Sequence, residues 1–137
     1  MRELIIKISR SIGLYEFLLD LDTRWRTYKI SRKFKKYGLE TLAEADSVLT
    51  EMGIHMFPTF GTLLGAYRDK GFIPFDNDLD VGVLISERPA DMQEQMARHG
   101  FKCFRQYHIP SMDDRITEEQ YFYKGVQIDI FYYYEEG

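Results

Sequence analysis

The stretch at residues 61–83, GTLLGAYRDKGFIPFDNDLDVGV, limits most tightly what this chain can fold into. Near its end, Asp78 and Asp80 alternate with Leu79, Val81 and Val83. Alternation of this kind reads as a β-strand running to about residue 85, on which residues two apart share a face. Two carboxylates side by side on one face repel each other and are costly to hold without a positive neighbour. Asp76 stands two residues earlier, so three acids occupy alternate positions. A further acid, Asp129, interrupts the apolar run VQIDIFYYY at the middle of another expected strand. A divalent cation with oxygen ligands neutralises such a group. The pattern predicts that Asp78, Asp80 and Asp129 meet across neighbouring strands and hold Mg²⁺, or Mn²⁺ in its place, against a phosphate-bearing substrate, with Asp76 as an accessory ligand.

The segment just upstream supports that expectation. Residues 54–59 read as a short strand, Gly61-Thr62 follows, and Leu63, Leu64, Ala66 and Tyr67 fit a short helix. Backbone N–H groups at such a helix start can grip a phosphate, which makes Gly61 and Thr62 candidate contacts for the donor. Arg68 is placed for a fork-like phosphate clamp, with Lys70 as a second candidate. Each of these features alone has a plainer reading. Gly-Thr begins many helices and turns, Asp-X-Asp is common on exposed strands, and Asp129 or Arg68 can pair with an opposite charge. The combination favours the metal reading. His55, His99 and His108 lack metal-ligand spacing and read as structural or exposed residues.

The rest of the chain bounds the setting. With 137 residues, 45% of them hydrophobic, it can build one core, so residues 1–137 are expected to form a single domain. Residues 1–53 read as mainly helical and 54–137 as the sheet-containing part. A single cysteine, Cys103, excludes an internal disulfide and a cysteine-based zinc site, which fits a reducing cytoplasm. No apolar run is long enough for a membrane span, and the charged start makes a poor signal peptide. Net charge is −4, yet the first 40 residues hold ten Lys/Arg against five acids, leaving +5 there and −9 in the remainder. This basic front reads first as a solvated helix lying against the acidic part of its own fold. The alternative is peripheral contact with an anionic membrane. Specific nucleic-acid binding is disfavoured because the acidic body would repel a polyanion.

Apolar spacing predicts an amphipathic helix over residues 3–21, including Ile8 and Ile12, with a break near Gly13. A second helix is expected over residues 23–37 and stopped by Gly38, then a third from Leu42 to Met52 closed by Gly53. All three are expected to serve as packing elements. Further on, a helix over residues 89–99, a strand over 101–107 and a polar surface loop over 109–118 follow. Residues 121–124 and 126–134 then pair as a hairpin through Gly125.

The same residues carry a family resemblance. Gly61, Thr62, Leu63, Leu64, Gly65 and Arg68, then Ile73, Pro74, Phe75, Asp76, Asp78 and Asp80, and finally Asp129 resemble the signature of LicD/fukutin-related proteins of the nucleotidyltransferase-fold superfamily. The resemblance is close over residues 57–83 and looser over 126–131. Asn77 departs from it, standing where many relatives have an acid or histidine, and the chain ends at Gly137, sooner after the third acid than is usual. The resemblance implies an α/β (α+β-like) nucleotidyltransferase fold: a small mixed sheet flanked by helices, behind an N-terminal helical region. It also implies a Mg²⁺-dependent phosphotransferase that moves a phosphorylated alcohol, such as phosphocholine or ribitol phosphate, from a CDP-linked donor to a cell-surface glycan. On that reading Asp78 and Asp80 bind metal, and Asp129 binds metal or acts as base. Two alternatives keep the fold: transfer of a nucleotide from an NTP to a small molecule, protein or RNA, and an inactive binding or scaffold protein.

Overall fold

The computed structural model describes residues 1–11 and 13–136; Ile12 and Gly137 lie outside the described residues, as do the side chains of Ile6, Ile8, Ser9 and Ser11. Two helices come first, α1 (Arg2–Ser11) and α2 (Leu14–Glu51). Gly13 separates them with a φ of 72°, a left-handed conformation that glycine adopts without steric cost. A two-residue strand, β1 (Phe57–Pro58), leads into α3 (Phe60–Arg68) and then β2 (Asp78–Leu84). After α4 (Met92–Arg98) come β3 (Lys102–Ile109), β4 (Arg115–Tyr123) and β5 (Val126–Tyr133).

The five strands form one mixed sheet in the order β1-β2-β5-β4-β3. β2 and β5 run parallel, and the other neighbours pair antiparallel. Parallel pairing aligns Leu79 with Ile128, Asp80 with Asp129 and Val81 with Ile130. One face is therefore apolar. Leu79, Val81 and Val83 of β2 and Ile128, Ile130 and Tyr132 of β5 join Ala45, Val48 and Leu49 of α2 and Met92 and Met96 of α4 in one buried core. The other face carries the acids. The expected α/β class, a small mixed sheet flanked by helices behind an N-terminal helical region, is the architecture observed.

Several expected elements differ. The helices anticipated over residues 23–37 and 42–52 are one helix, and Gly38 lies inside it. Gly38 does not end the helix because it stays in the right-handed conformation, packed beside the rings of Phe34 and Phe72. The first strand shrinks to two residues, and the loop expected over 109–118 gives way at Arg115 to β4. The anticipated hairpin is present, turning on Lys124 and Gly125, whose positive φ angles of 49° and 78° match a two-residue turn of the primed kind.

The largest correction concerns the front of the chain. Among the described residues, 1–33 add nothing to the buried core. Phe34 is the first buried residue of α2, and no described residue before it is buried. Leu4, Ile5, Phe17, Leu18, Trp25 and Tyr28 are all exposed, with Trp25 at 57%. Residues 14–33 project about 30 Å beyond the packed half of α2. Among the described residues no helix is long and apolar enough to cross a membrane.

Candidate active site

The site forms where β2 and β5 lie side by side. Because the strands are parallel and in register, Asp80 and Asp129 face the same side, and the two-residue period puts Asp78 beside them. One carboxylate oxygen from each of Asp78, Asp80 and Asp129 lies within 4.8 Å of the others. The sequence-predicted trio is thus brought together.

Local contacts hold each acid in place. The N-terminus of α3 clasps Asp80 on several sides. Its backbone N–H donates to the Thr62 hydroxyl at 2.9 Å, and its carbonyl accepts from the Thr59 N–H at 3.0 Å. Its carboxylate also accepts the Gly61 N–H. Asp129 is held by amides: Gln127 Nε2 donates to Oδ1 at 2.9 Å and to Oδ2 at 3.2 Å, while Gln120 Nε2 reaches Oδ2 at 3.4 Å. Glu118 receives a 2.7 Å hydrogen bond from the same Gln120 nitrogen.

Electrostatics at this cluster are unfavourable without a cation. Burial first, then the charge of Asp78, push the Asp80 carboxyl up to about 6, against the Gly61 N–H that pulls it down. Burial likewise pushes Asp129 up to about 6, with Glu118, Asp78 and Asp80 adding to the rise while Gln127 opposes it. A site that disfavours its own negative charge so strongly is ready to accept positive charge.

The other sequence candidates sit differently. Asp76 lies outside the trio. It faces Gly61, whose missing Cβ leaves room for it: a Cβ there would come within 3.1 Å of Asp76 Oδ2. That oxygen is buried without a hydrogen-bond partner among the described residues, and burial raises the Asp76 carboxyl, with Asp78 adding to it. Gly61 spends its N–H on Asp80, while the Thr62 hydroxyl accepts from Asp80 and keeps a proton to donate. Arg68 is gripped in a fork by Asp69, with two 3.0 Å bonds, and no hydrogen bond among the described residues links it to the three acids. Lys70 lines a cavity of about 840 Å³ between α2 and α3, with Lys35, Leu39 and Phe72, and none of the three acids borders it.

Glu118, Gln120 and Gln127 were not anticipated. The signal was present, however. Counting back from the Lys124-Gly125 turn pairs residue 123 with 126 and residue 120 with 129, which sets Gln120 opposite Asp129. Also unanticipated is a buried centre on the core face. Glu119 is fully buried and receives Arg88 Nη2 at 2.7 Å, Gln93 at 2.7 Å, Gln106 at 2.6 Å and the hydroxyls of Tyr121 and Tyr132. Burial alone would raise its carboxyl, but Arg88, Gln93 and Tyr132 together hold it below the usual range. With its charge fully partnered, Glu119 serves as an anchor between α4 and the sheet.

Comparison with known proteins agrees with this geometry. A family model described as LicD/FKTN/FKRP, nucleotidyltransferase domain, matches residues 53–137. The chain is 29% identical over 104 residues to the ribitol-5-phosphate transferase FKTN of Mus musculus, covering 76% of this chain and 22% of that protein. It is 27% identical over 103 residues to the Homo sapiens protein of the same name, covering 75% and 22%. An uncharacterized protein of Rickettsia typhi is 34% identical over 89 residues, or 59% of this chain and 29% of that one. The chain thus spans less than a third of the length of these relatives. Its matched segment contains the whole sheet and all three clustered acids, and the chain belongs to the LicD/FKTN/FKRP nucleotidyltransferase-domain family.

Proposed function

We propose that this protein is a phosphotransferase that moves a phosphorylated alcohol from a CDP-linked donor to a glycan. The observation that carries the reading is the trio of carboxylates within 4.8 Å, two of them pushed up by burial and by neighbouring acids. This donor set fits Mg²⁺, or Mn²⁺: hard carboxylate oxygens, few in number, on an open strand face that leaves room for phosphate oxygens and water. Asp78, Asp80 and Asp129 would hold the ion. When bound, it would neutralise the donor pyrophosphate and the departing phosphate.

The chain's own residues then have separate tasks. Gly61 and Thr62 hold Asp80 rigid at the start of α3. Thr62 is nearly fully buried and acts through Asp80 rather than on the donor directly. In the transfer, the acceptor hydroxyl oxygen forms a bond to the outer phosphorus of the donor, and the bond from that phosphorus to the bridging oxygen breaks, releasing CMP. The hydroxyl proton goes to a carboxylate, and Asp129, oriented by Gln127, takes that role if Asp78 and Asp80 alone hold the ion. Arg68 joins as a phosphate clamp only by exchanging Asp69 for the donor. Relatives named as ribitol-5-phosphate transferases make ribitol phosphate a natural first group to try, beside phosphocholine.

The test is transfer from labelled CDP-ribitol and CDP-choline, with CTP and ATP as further donors, in Mg²⁺ and in EDTA. We expect CMP release from one CDP-linked donor in Mg²⁺ alone. Asp80→Asn should lower it by more than about a hundredfold, beyond the range seen for loss of a mere outer partner of a metal ligand. Nucleotide incorporation from an NTP would instead support nucleotidyl transfer at the same acids. Metal-independent turnover, or no nucleotide binding at all, would overturn the enzyme reading.

A further inference from the structure

We propose that residues 1–33 form a docking arm that lies on the surface of a bilayer containing anionic lipid. The arm has two independent features of such a surface binder. First, Leu14, Phe17, Leu18, Leu21, Trp25 and Tyr28 recur at spacings of three and four, making one helical stripe, and all six are exposed. The stripe ends where the core begins, at Phe34. Second, the basic charge is concentrated here. The two acids in the middle of the arm are neutralised locally, Asp20 by Arg24 and Asp22 by Arg26, each at 2.8 Å. Lys29, Arg32, Lys33, Lys35 and Lys36 follow with no acid among them.

Chemistry selects a bilayer over other occupants. Trp25 and Tyr28 stack at 5.9 Å, and Lys29 sits 5.1 Å over the Trp25 ring. Rings with an apolar body and a polar edge, beside long basic side chains, suit the boundary between acyl chains and headgroups. A second copy of the arm would set one net-positive helix against another. A nucleic acid would engage the bases and leave the apolar stripe in water. An anionic bilayer meets both features together. The body's excess of acids, −9 beyond residue 40, then orients it away from the lipid while the arm is held down. The catalytic reading and this one are separable, since Asp80→Asn is expected to leave vesicle binding unchanged.

Trp25 is the chain's one tryptophan, so its emission reports the arm directly. The full chain is titrated with vesicles of phosphatidylcholine alone and of phosphatidylcholine mixed with phosphatidylglycerol, at low and high salt. We expect a blue shift and co-sedimentation with the mixed vesicles, both weakened by salt. Leu21→Glu, on the stripe, should weaken partition by roughly tenfold or more. Ile30→Glu, an exposed residue off the stripe, should change it by less than about twofold. Neither position is buried, so thermal melts of both variants should match the parent. Absence of a shift with mixed vesicles at low salt would overturn the proposal. So would equal losses in the two variants, or a lipid-free dimer that already shields Trp25.

Discussion

Asp80 gathers most of what this fold does at a single position. Its backbone ties β2 to α3, its side chain completes the acid trio, and its ionisation is opposed by burial and Asp78. The pH consequence has a definite sign. A carboxyl raised in the folded protein binds its proton more tightly there than in the unfolded chain, so stability falls as pH rises from about 4 through about 6. In EDTA, Asp80→Asn is therefore expected to be more stable than the parent at pH 7.5, by about 1–2 kcal/mol after allowance for solvent screening. At pH 4 the two should nearly coincide. Adding Mg²⁺ should reverse the order, stabilising the parent and leaving the variant unmoved. Chemical denaturation at the two pH values, with and without the ion, measures all three comparisons, and a parent more stable than the variant at pH 7.5 in EDTA would refute the account. The acids themselves could be read in the sequence because a strand's two-residue period and the odd placement of Asp129 in an apolar run leave few alternatives. Gln120 and Gln127 escaped notice because amides carry no charge signature; the register makes Gln120 a partner of Asp129, and the two-residue strand period does the same for Gln127.

Elements were legible where local pattern decides structure and illegible where tertiary contact overrules it. β2, the Lys124-Gly125 hairpin and the break at Gly13 each follow from short-range rules. Gly38 does not, because a glycine ends a helix only if it turns left-handed, and Phe72 packing beside it favours continuation. β4 was hidden at its start because Arg115–Gln120 is polar, yet its inward Glu119 is satisfied by Arg88, Gln93 and Gln106. Two glycines on helices now predict opposite outcomes. At Gly38 an added Cβ would meet the Phe34 and Phe72 rings at an ordinary 3.5 Å. Gly38→Ala should therefore stabilise the protein by about 0.5–1 kcal/mol through helix propensity. At Gly65 an added Cβ would come within 2.5 Å of the Gly71 carbonyl oxygen and 3.0 Å of the Ile73 nitrogen. Backbone cannot swing aside as a side chain can, so Gly65→Ala should destabilise by about 1–3 kcal/mol, the usual cost of overpacking. Paired urea melts distinguish the signs, and this close approach also gives a physical reason for glycine in the GTLLG run.

On the scale of the whole molecule, the chain divides into a body that holds the chemistry and an arm that adds nothing to the core. Sequence periodicity marked the arm as helical but could not say what its apolar stripe touches, since an amphipathic helix looks alike whether its partner is its own sheet or something outside the chain. Charge asymmetry was no better a guide: opposite charges attract, so a front at +5 and a body at −9 suit a helix lying on its own acidic body, whereas the arm stands clear of it. If the division is real, the body's stability should barely depend on the arm. A protein comprising residues 32–137 keeps Phe34, the whole buried core and the acid trio. Its unfolding free energy is expected to fall within about 1 kcal/mol of the full chain's, the scale of exposed-residue effects. Its urea m-value should be nearly unchanged too, because m follows the surface newly exposed on unfolding and the arm's apolar residues already face solvent. Its Mg²⁺-dependent stabilisation should also persist. Should the shortened protein instead lose several kcal/mol and show a markedly smaller m-value, residues 1–31 would have to be packed on the body, and the stripe from Leu14 to Tyr28 would be part of its core.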